Sequence, residues 1–408
     1  MEIDVSEVTK DIWQERYTED ITGKDKYKNE GLKHALQVAT KIVERQLEIP
    51  EVKSFIKNNE TFDLLLLEAW IRPTLFWTYI YDAPVVTISS FGPVFNDYIN
   101  FGGPSHPLLY PTSMQHEVWN LNIWQKLVAL YEYWKMHSMY DLLEKEEDAI
   151  AKRLFGDVPP LRQQMEKIEM FLVNIHPVWE GVRPLPRNVV HLGATHLQDM
   201  KIKPNMSEEL REYLDSCNYG VVYVSLGTNI RPWMLPEHTH QKLLSAFSKM
   251  AFNVLWKWDA DINDDQPYNV KIGRWFPQAE LLKHPNVRLF ITQCGQQSID
   301  EAIAAAVPVL GLPMAADQWR NAEQVRRHKV GTAIDLEDVD DEEFKNIIEH
   351  TMRNETYRIN MHHLRTQMFD APAPAPDRAV DAIDFTSFYG LVDNFSTTKT
   401  PIKPVANL

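Results

Sequence analysis

Short apolar runs alternate with amphipathic stretches along the second half of the chain. Runs rich in β-branched residues fall at 221–226, 253–258, 287–292, 308–312 and 331–336, and helical periodicity occupies 237–251, 297–306, 317–328 and 342–354. The runs are apolar at consecutive positions, as in strands covered on both faces. This alternation predicts a parallel sheet between two layers of helices, a doubly wound α/β unit. The first half is less regular. Positions 62–67, 73–81 and 83–90 read as strand, helix, strand, further strand-like runs stand at 170–175 and 188–193, and 117–154 is a long helical stretch rich in Trp and Tyr. Its aromatic residues, concentrated at 119–140, fit either a core or the wall of an apolar pocket. Residues 1–60 read as helical or irregular and supply no leading strand. The segment 194–218, where His196, Pro204 and Glu208-Glu209 break the apolar pattern, predicts a linker. Ala-Pro repeats three times from Ala371 through Pro376 and predicts an extended stretch, followed by a short helix at 377–384.

Composition narrows the class. A chain of 408 residues accommodates two domains, and its 24% charged and 44% hydrophobic content is that of a globular protein. The 42 basic against 57 acidic residues leave a net charge of −15, a field that repels a phosphate backbone, so no nucleic-acid partner is expected. Cys217 and Cys294 are the only cysteines, which excludes a disulfide framework and a cysteine metal site. No basic start followed by an apolar run marks a secretory signal, and the longest apolar stretch, 302–316, contains Pro308 and Pro313 and falls short of the ~20 residues of a membrane span. The chain therefore reads as soluble. Asn-x-Ser/Thr triplets at Asn59, Asn205, Asn354 and Asn394 lean toward a secretory lumen, although coincidence explains them as well.

Four features carry candidate chemistry, in order along one βαβ run. Ser225, Gly227 and Thr228 end a buried strand in a small polar turn that fits either a phosphate contact or a plain connection. Trp275-Phe276-Pro277-Gln278 offers an indole to stack on a base and an amide to reach ribose, or else a core tryptophan. Gln293-Cys294-Gly295-Gln296-Gln297-Ser298 turns a strand into a helix whose free N–H groups suit an anion. Glu301 is spaced for ribose hydroxyls, while Ser298-x-x-Glu301 also reads as a capping box that needs no ligand. Asp317-Gln318 follows the next strand and matches sugar hydroxyls, or an ordinary helix start with Asp317 as N-cap. There is no Gly-x-Gly-x-x-Gly and no His/Glu ligand spacing, which disfavours a dehydrogenase and a metal enzyme.

The run Trp275-Phe-Pro-Gln, Leu281-Leu-Lys-His-Pro285, Phe290-Ile-Thr-Gln-Cys-Gly, Ser298, Glu301-Ala302, Val307-Pro308, Pro313 and Asp317-Gln318 closely resembles the signature of UDP-glycosyltransferases. The strand at 221–228 is similar to the opening motif of that family's donor domain, and Gly103-Pro-Ser-His-Pro107 to an acceptor-domain motif of its animal members. Gln293 stands where many members have His, and Thr-Gln-Cys-Gly is similar to the insect and baculoviral ecdysteroid type.

The resemblance implies two facing Rossmann-like domains of the GT-B type: an acceptor domain at 1–195 that lacks its first strand, a donor domain at 196–370, and a Pro-rich tail at 371–408. It implies inverting transfer of a hexose, glucose by the insect-like motif, from a UDP-sugar to a small lipophilic acceptor, with no metal or other cofactor. Trp275, Phe276 and Gln278 would hold uracil and ribose, and Gln293, Gly295, Gln297 and Ser298 the diphosphate, opposite Ser225, Gly227 and Thr228. Glu301 would take ribose hydroxyls, and Asp317 and Gln318 the sugar. The family's base is a His oriented by an acid. Glu68 matches the acid, whereas residues 1–60 offer only His34, in a lysine-rich helical context, so impaired transfer is expected. A noncatalytic binder or structural remnant of the same fold is the alternative. Family members are usually anchored with their body in the endoplasmic reticulum lumen.

Overall fold

The computed structural model describes residues 2–14, 30–58, 60–93, 97–115, 118–198, 206–228, 235–259, 266–371 and 373–389. The expected sequons at Asn59, Asn205 and Asn394 lie outside the described residues. Asn354 lies within them, and its side-chain oxygen accepts from the Thr356 N–H at 3.1 Å, capping the helix Glu355–Phe369.

Ten strands form two parallel sheets. β1 (Leu65–Glu68), β2 (Val85–Ser89), β3 (Ile168–Val173) and β4 (Val189–His191) lie in the order β1-β2-β3-β4. β5 (Val221–Ser225), β6 (Asn253–Lys257), β7 (Val270–Gly273), β8 (Val287–Thr292), β9 (Val309–Gly311) and β10 (Gly331–Ala333) lie in the order β10-β9-β8-β5-β6-β7. The chain runs outward from β5 to β7, then returns to the other side of β5 and runs outward to β10. The order therefore reverses between β5 and β8, the point where an open α/β sheet presents a ligand crevice at its strand ends.

Alternation along β5 explains the layering. Val221 and Tyr223 join one buried cluster with Leu255 and Phe290, while Val222 and Val224 join another with Val254, Trp256, Leu289 and Ile291. With both faces apolar, the sheet is stable only when helices cover each side. The first of these clusters also contains Phe171, Val173, Ile175 and Trp179, so one apolar core runs from the N-terminal sheet into the C-terminal one.

Before β1 the described residues of the N-terminal unit form the helices Ser6–Gln14, Glu30–Glu48 and Pro50–Lys57. β1 lies at one edge of its sheet. The expected helix at 73–81 is a 3-10 helix, Arg72–Tyr79, with Pro73 in its first turn. The long aromatic helix spans Ile123–Phe155, fixed at its start by a reciprocal capping box between Asn122 and Gln125.

Part of the expected linker is helical, and the helix expected at 377–384 is present and longer at both ends. Within the expected linker, Glu208–Ser216 is a helix capped by Ser207, and its Leu210 and Leu214 join the buried cluster that holds Val221 and Val287; its acidic first turn suits a helix N-terminus. The last Ala-Pro pair opens the helix Ala375–Tyr389, because proline is tolerated in a first turn. Ala375, Ala379, Ala382 and Ile383 of that helix pack on Val86, Met170, Leu172 and Leu192, which returns the chain to the N-terminal sheet. Among the described residues no helix is long and apolar enough to cross a membrane.

Candidate functional site

The loops leaving β5 and β8 meet at the switch point. Gly227 has φ +74, and a Cβ built on it would lie 2.2 Å from Gln293 Nε2, so glycine leaves room for the Gln293 side chain in its present place. Its N–H donates to Ser225 Oγ at 3.4 Å, and its carbonyl accepts from Lys257 Nζ at 2.9 Å. Thr228 follows, exposed. Gln293 is 6% exposed and its Oε1 has no hydrogen-bond partner, which leaves a buried acceptor at the mouth of the crevice. Cys294 then adopts φ +67, and Gly295 is the N-cap of the helix Gln296–Ala305 without any side-chain cap. Gln297 is exposed and Ser298 half-buried on the first turn, where N–H groups point out of the helix.

On the β6–β7 side, Trp275 is 70% exposed, an unusual position for an indole, with Lys257 Nζ 5.8 Å from its ring. Phe276 is buried instead and meets Tyr223 edge-on at 6.2 Å. Gln278 ties the region together. Its Oε1 accepts from the Tyr223 hydroxyl at 3.2 Å, and its Nε2 donates to Ser298 Oγ at 3.0 Å and Glu301 Oε2 at 2.7 Å. Ser298 and Glu301 are thus partners of Gln278, and the capping-box reading of this pair gives way, since Gly295 rather than Ser298 starts the helix. Burial raises the Glu301 carboxyl above its ordinary value, with the Gln278 bond opposing the shift.

Asp317 and Gln318 begin the helix Gln318–Arg327. Asp317 occupies the N-cap position but makes no side-chain cap; it accepts instead from Asn321 Nδ2 at 2.9 Å, and from the backbone N–H of Gln296 across the crevice. Burial pushes its carboxyl up to about 6 despite these bonds. Gln318 is buried, and its Oε1 accepts from the N–H groups of Met314 and Ala315 at 2.9 and 2.8 Å, shaping the loop after β9.

Two residues at this site escaped the sequence reading. Lys257, 8% exposed at the end of β6, brings a cation between the Gly227 loop and Trp275, with Asp259 3.9 Å away. His196, on the short turn that leaves the N-terminal unit, stands 3.7 Å from Glu301 Oε1. A lone Lys inside an apolar run and a His in an expected linker carry no spacing signal, and only the fold brings them to the crevice.

Glu68 ends β1. Burial raises its carboxyl to about 7, against backbone N–H donors from Trp70, Ala69 and Ser90, and its Oε1 has no hydrogen-bond partner. His34 stands on the helix Glu30–Glu48. Beyond Glu68, Trp70 and Phe91 pack on a cluster of Leu36, Met114, Met136, Met139 and Leu143 with Tyr133 and Tyr140, so part of the aromatic stretch lines an apolar, methionine-rich interior. The 103–107 motif closes a turn there: His106 Nδ1 accepts from the N–H groups of Leu108 and Leu109 at 3.1 and 3.3 Å, and Ser105 Oγ lies 2.9 Å from Tyr133 OH.

Comparison with known proteins gives the site its context. The chain is 33% identical over 347 residues to an ecdysteroid UDP-glucosyltransferase of Spodoptera littoralis nuclear polyhedrosis virus, a match covering 83% of this chain and 67% of that one. It is 28% identical over 340 residues to UDP-glycosyltransferase UGT4 of Dactylopius coccus, covering 81% of this chain and 66% of that one. The chain thus spans about two thirds of the length of these relatives. Among solved structures, the glycotransferase of kitacinnamycin aligns with a TM-score of 0.61 at 16% identity, over 86% of this chain and 82% of that one. UDP-glucose: anthocyanidin 3-O-glucosyltransferase, in complex with UDP, aligns with a TM-score of 0.57 at 15% identity, over 87% and 82%. These two show the shared GT-B fold. The profile described as UDP-glucoronosyl and UDP-glucosyl transferase matches residues 5–388, nearly the whole chain, and the protein belongs to that family.

Proposed function

We propose that the crevice at the ends of β5 and β8 binds a UDP-sugar, with glucose as the sugar. The observation that carries this reading is the Gln278 network. One amide joins Tyr223, Ser298 and Glu301 beside an exposed tryptophan, which assembles a stacking face and a carboxylate beside a helix N-terminus. Uracil would stack on Trp275, ribose hydroxyls would meet Glu301, and the diphosphate would lie between the Gly227 loop and the first turn of Gln296–Ala305. Gln293 donates a hydrogen bond but no charge. Lys257 supplies the missing cation. Asp317 would accept from sugar hydroxyls, with Gln318 holding its loop.

The reaction would be a direct displacement with inversion. An acceptor hydroxyl oxygen bonds to the anomeric carbon as the bond to the UDP oxygen breaks, and the hydroxyl proton passes to a base. Charge growing on the leaving diphosphate is met by fixed donors already in place, with no metal required. The acceptor would be small and lipophilic, in keeping with the apolar interior beyond Glu68 and with the ecdysteroid in the names of the viral relatives. Glu68 is the acid matched to the family's base-orienting role. Its unpartnered Oε1 favours a second reading, a nucleotide-sugar binder with weak transfer.

Calorimetric titration with UDP tests the binding half. Saturable binding is expected, weakened about tenfold or more by Trp275→Ala. Absence of UDP binding, or an unchanged Trp275→Ala, sinks the assignment. Incubation with UDP-glucose and an ecdysteroid or phenol then separates the two readings by whether free UDP and glucoside accumulate.

A further inference from the structure

The N-terminal unit reaches directly into the donor site. Trp179, 1% exposed in the turn Pro177–Glu180, crosses the boundary between the sheets and stacks on His328 at 5.3 Å and 13°. Its indole N–H donates to Asn321 Oδ1 at 3.0 Å, and its carbonyl accepts from Gln324 Nε2. Arg320 of the same helix also holds the N-terminal unit, donating to the carbonyls of Pro111 at 3.0 Å and Glu180 at 2.6 Å.

Asn321 is 3% exposed, and each of its side-chain bonds has one direction. Nδ2 donates to Asp317 Oδ2 and to the Cys294 carbonyl, both at 2.9 Å, while Oδ1 accepts from the indole. Turning the amide over would set its oxygen against two oxygens and its N–H groups against an N–H. The indole N–H therefore acts with these two acceptors to hold the orientation in which the amide donates to Asp317. Cys294, the other recipient, holds φ +67 between Gln293 and Gly295. Loss of the indole N–H would let the Asn321 amide turn and so free the Asp317 carboxylate.

We propose that Trp179 is a positioning residue for the transferred sugar: through Asn321 it fixes the Asp317 carboxylate, so that packing of the N-terminal unit sets sugar recognition on the C-terminal one. This rests on the reading of Asp317 as a sugar-binding residue. Trp179→Phe removes the N–H and keeps a ring for the stack, so a purely structural role predicts equal effects on every ligand.

Titrations with UDP and with UDP-glucose, on the wild type, Asp317→Asn, Trp179→Phe and the double variant, test the relay. Asp317→Asn is expected to weaken UDP-glucose about tenfold and UDP about twofold or less. Trp179→Phe is expected to show the same selectivity, and the double variant to be little worse than Asp317→Asn, as for residues acting through one chain of contacts. If Asp317→Asn is not selective, the reading of Asp317 falls. If it is selective but Trp179→Phe weakens both ligands equally or neither, the relay alone falls. Failure of the wild type to bind UDP overturns both. Should Trp179→Phe not fold, Asn321→Ser breaks the relay inside the C-terminal unit, where the sugar-selective loss must still appear.

Discussion

At the scale of single residues, Glu68 is the most exposed to test, because its ionisation is coupled to folding. Its carboxyl is raised from 4.5 to about 7, first by burial. Between those values the folded state holds a proton that the unfolded state has released, so stability falls as pH rises through the window and stays reduced above it. At about 1.4 kcal/mol per unit, the full penalty above pH ~7 is on the order of 3 kcal/mol. Glu68→Gln keeps the shape and removes the charge. Thermal unfolding of this variant should therefore match the wild type near pH 4.5 and exceed it increasingly up to about pH 7, with a constant margin beyond. A margin independent of pH would mean that Glu68 is already ionised at no cost. Transfer that uses this carboxylate would instead rise about the folded-state value, near pH 7.

At the scale of elements, the site depends on two loops leaving adjacent strands, and Gly227 leaves room between them for the Gln293 side chain. An alanine there has to hold φ +74, which costs ~1–2 kcal/mol, and its Cβ would press on the flexible end of Gln293 rather than on backbone. The side chain can swing away, so the penalty falls on function more than on folding. Gly227→Ala is expected to cost about 1–2 kcal/mol in stability and to weaken UDP several-fold as Gln293 leaves its place, read by thermal unfolding beside titration. UDP affinity equal to the wild type would place the ligand away from this contact. The two loops also mark how far the sequence was legible. The five strand runs of the second half lie close to β5, β6, β8, β9 and β10, since burial on both faces writes a continuous apolar run, whereas β7, buried only at Val270, lies outside them. The candidate residues from Ser225 to Gln318 are legible as candidates because strand ends face the crevice in this topology. Lys257 and His196 were not found, because a buried cation at a strand end and a hinge histidine leave no periodic trace. Glu208–Ser216 was missed for a different reason: a nine-residue helix with two buried leucines has too few turns for its period to stand out against an acidic surface.

At the scale of the whole molecule, the chain crosses between its two units more than once. It passes from β4 through the His196 turn into the C-terminal unit, and comes back with the helix Ala375–Tyr389. That return is secured by polar as well as apolar contacts. Arg378 donates to the carbonyls of His191 and Leu192, at 2.7 and 2.6 Å, and the N–H of Ala375 donates to the Gln198 side chain. The two carbonyls sit at the end of β4, a few residues before His196, so one guanidinium pins the last helix to the segment where the chain leaves the first unit. Loss of a charged donor to a backbone carbonyl costs about 1.5–3 kcal/mol when water cannot replace it, and less where the guanidinium is partly exposed. Arg378→Ala is accordingly expected to loosen the helix locally by about 1–2 kcal/mol without unfolding either sheet. Hydrogen exchange read by mass spectrometry distinguishes the outcomes. Faster exchange confined to the 375–389 helix and the turn at Thr195–Leu197, with β5 and β8 unchanged, is the expected result. If exchange in the C-terminal sheet accelerates equally, the helix is part of one cooperative unit spanning both sheets. The continuous apolar cluster from Phe171 to Val330 would then govern the stability of the whole molecule.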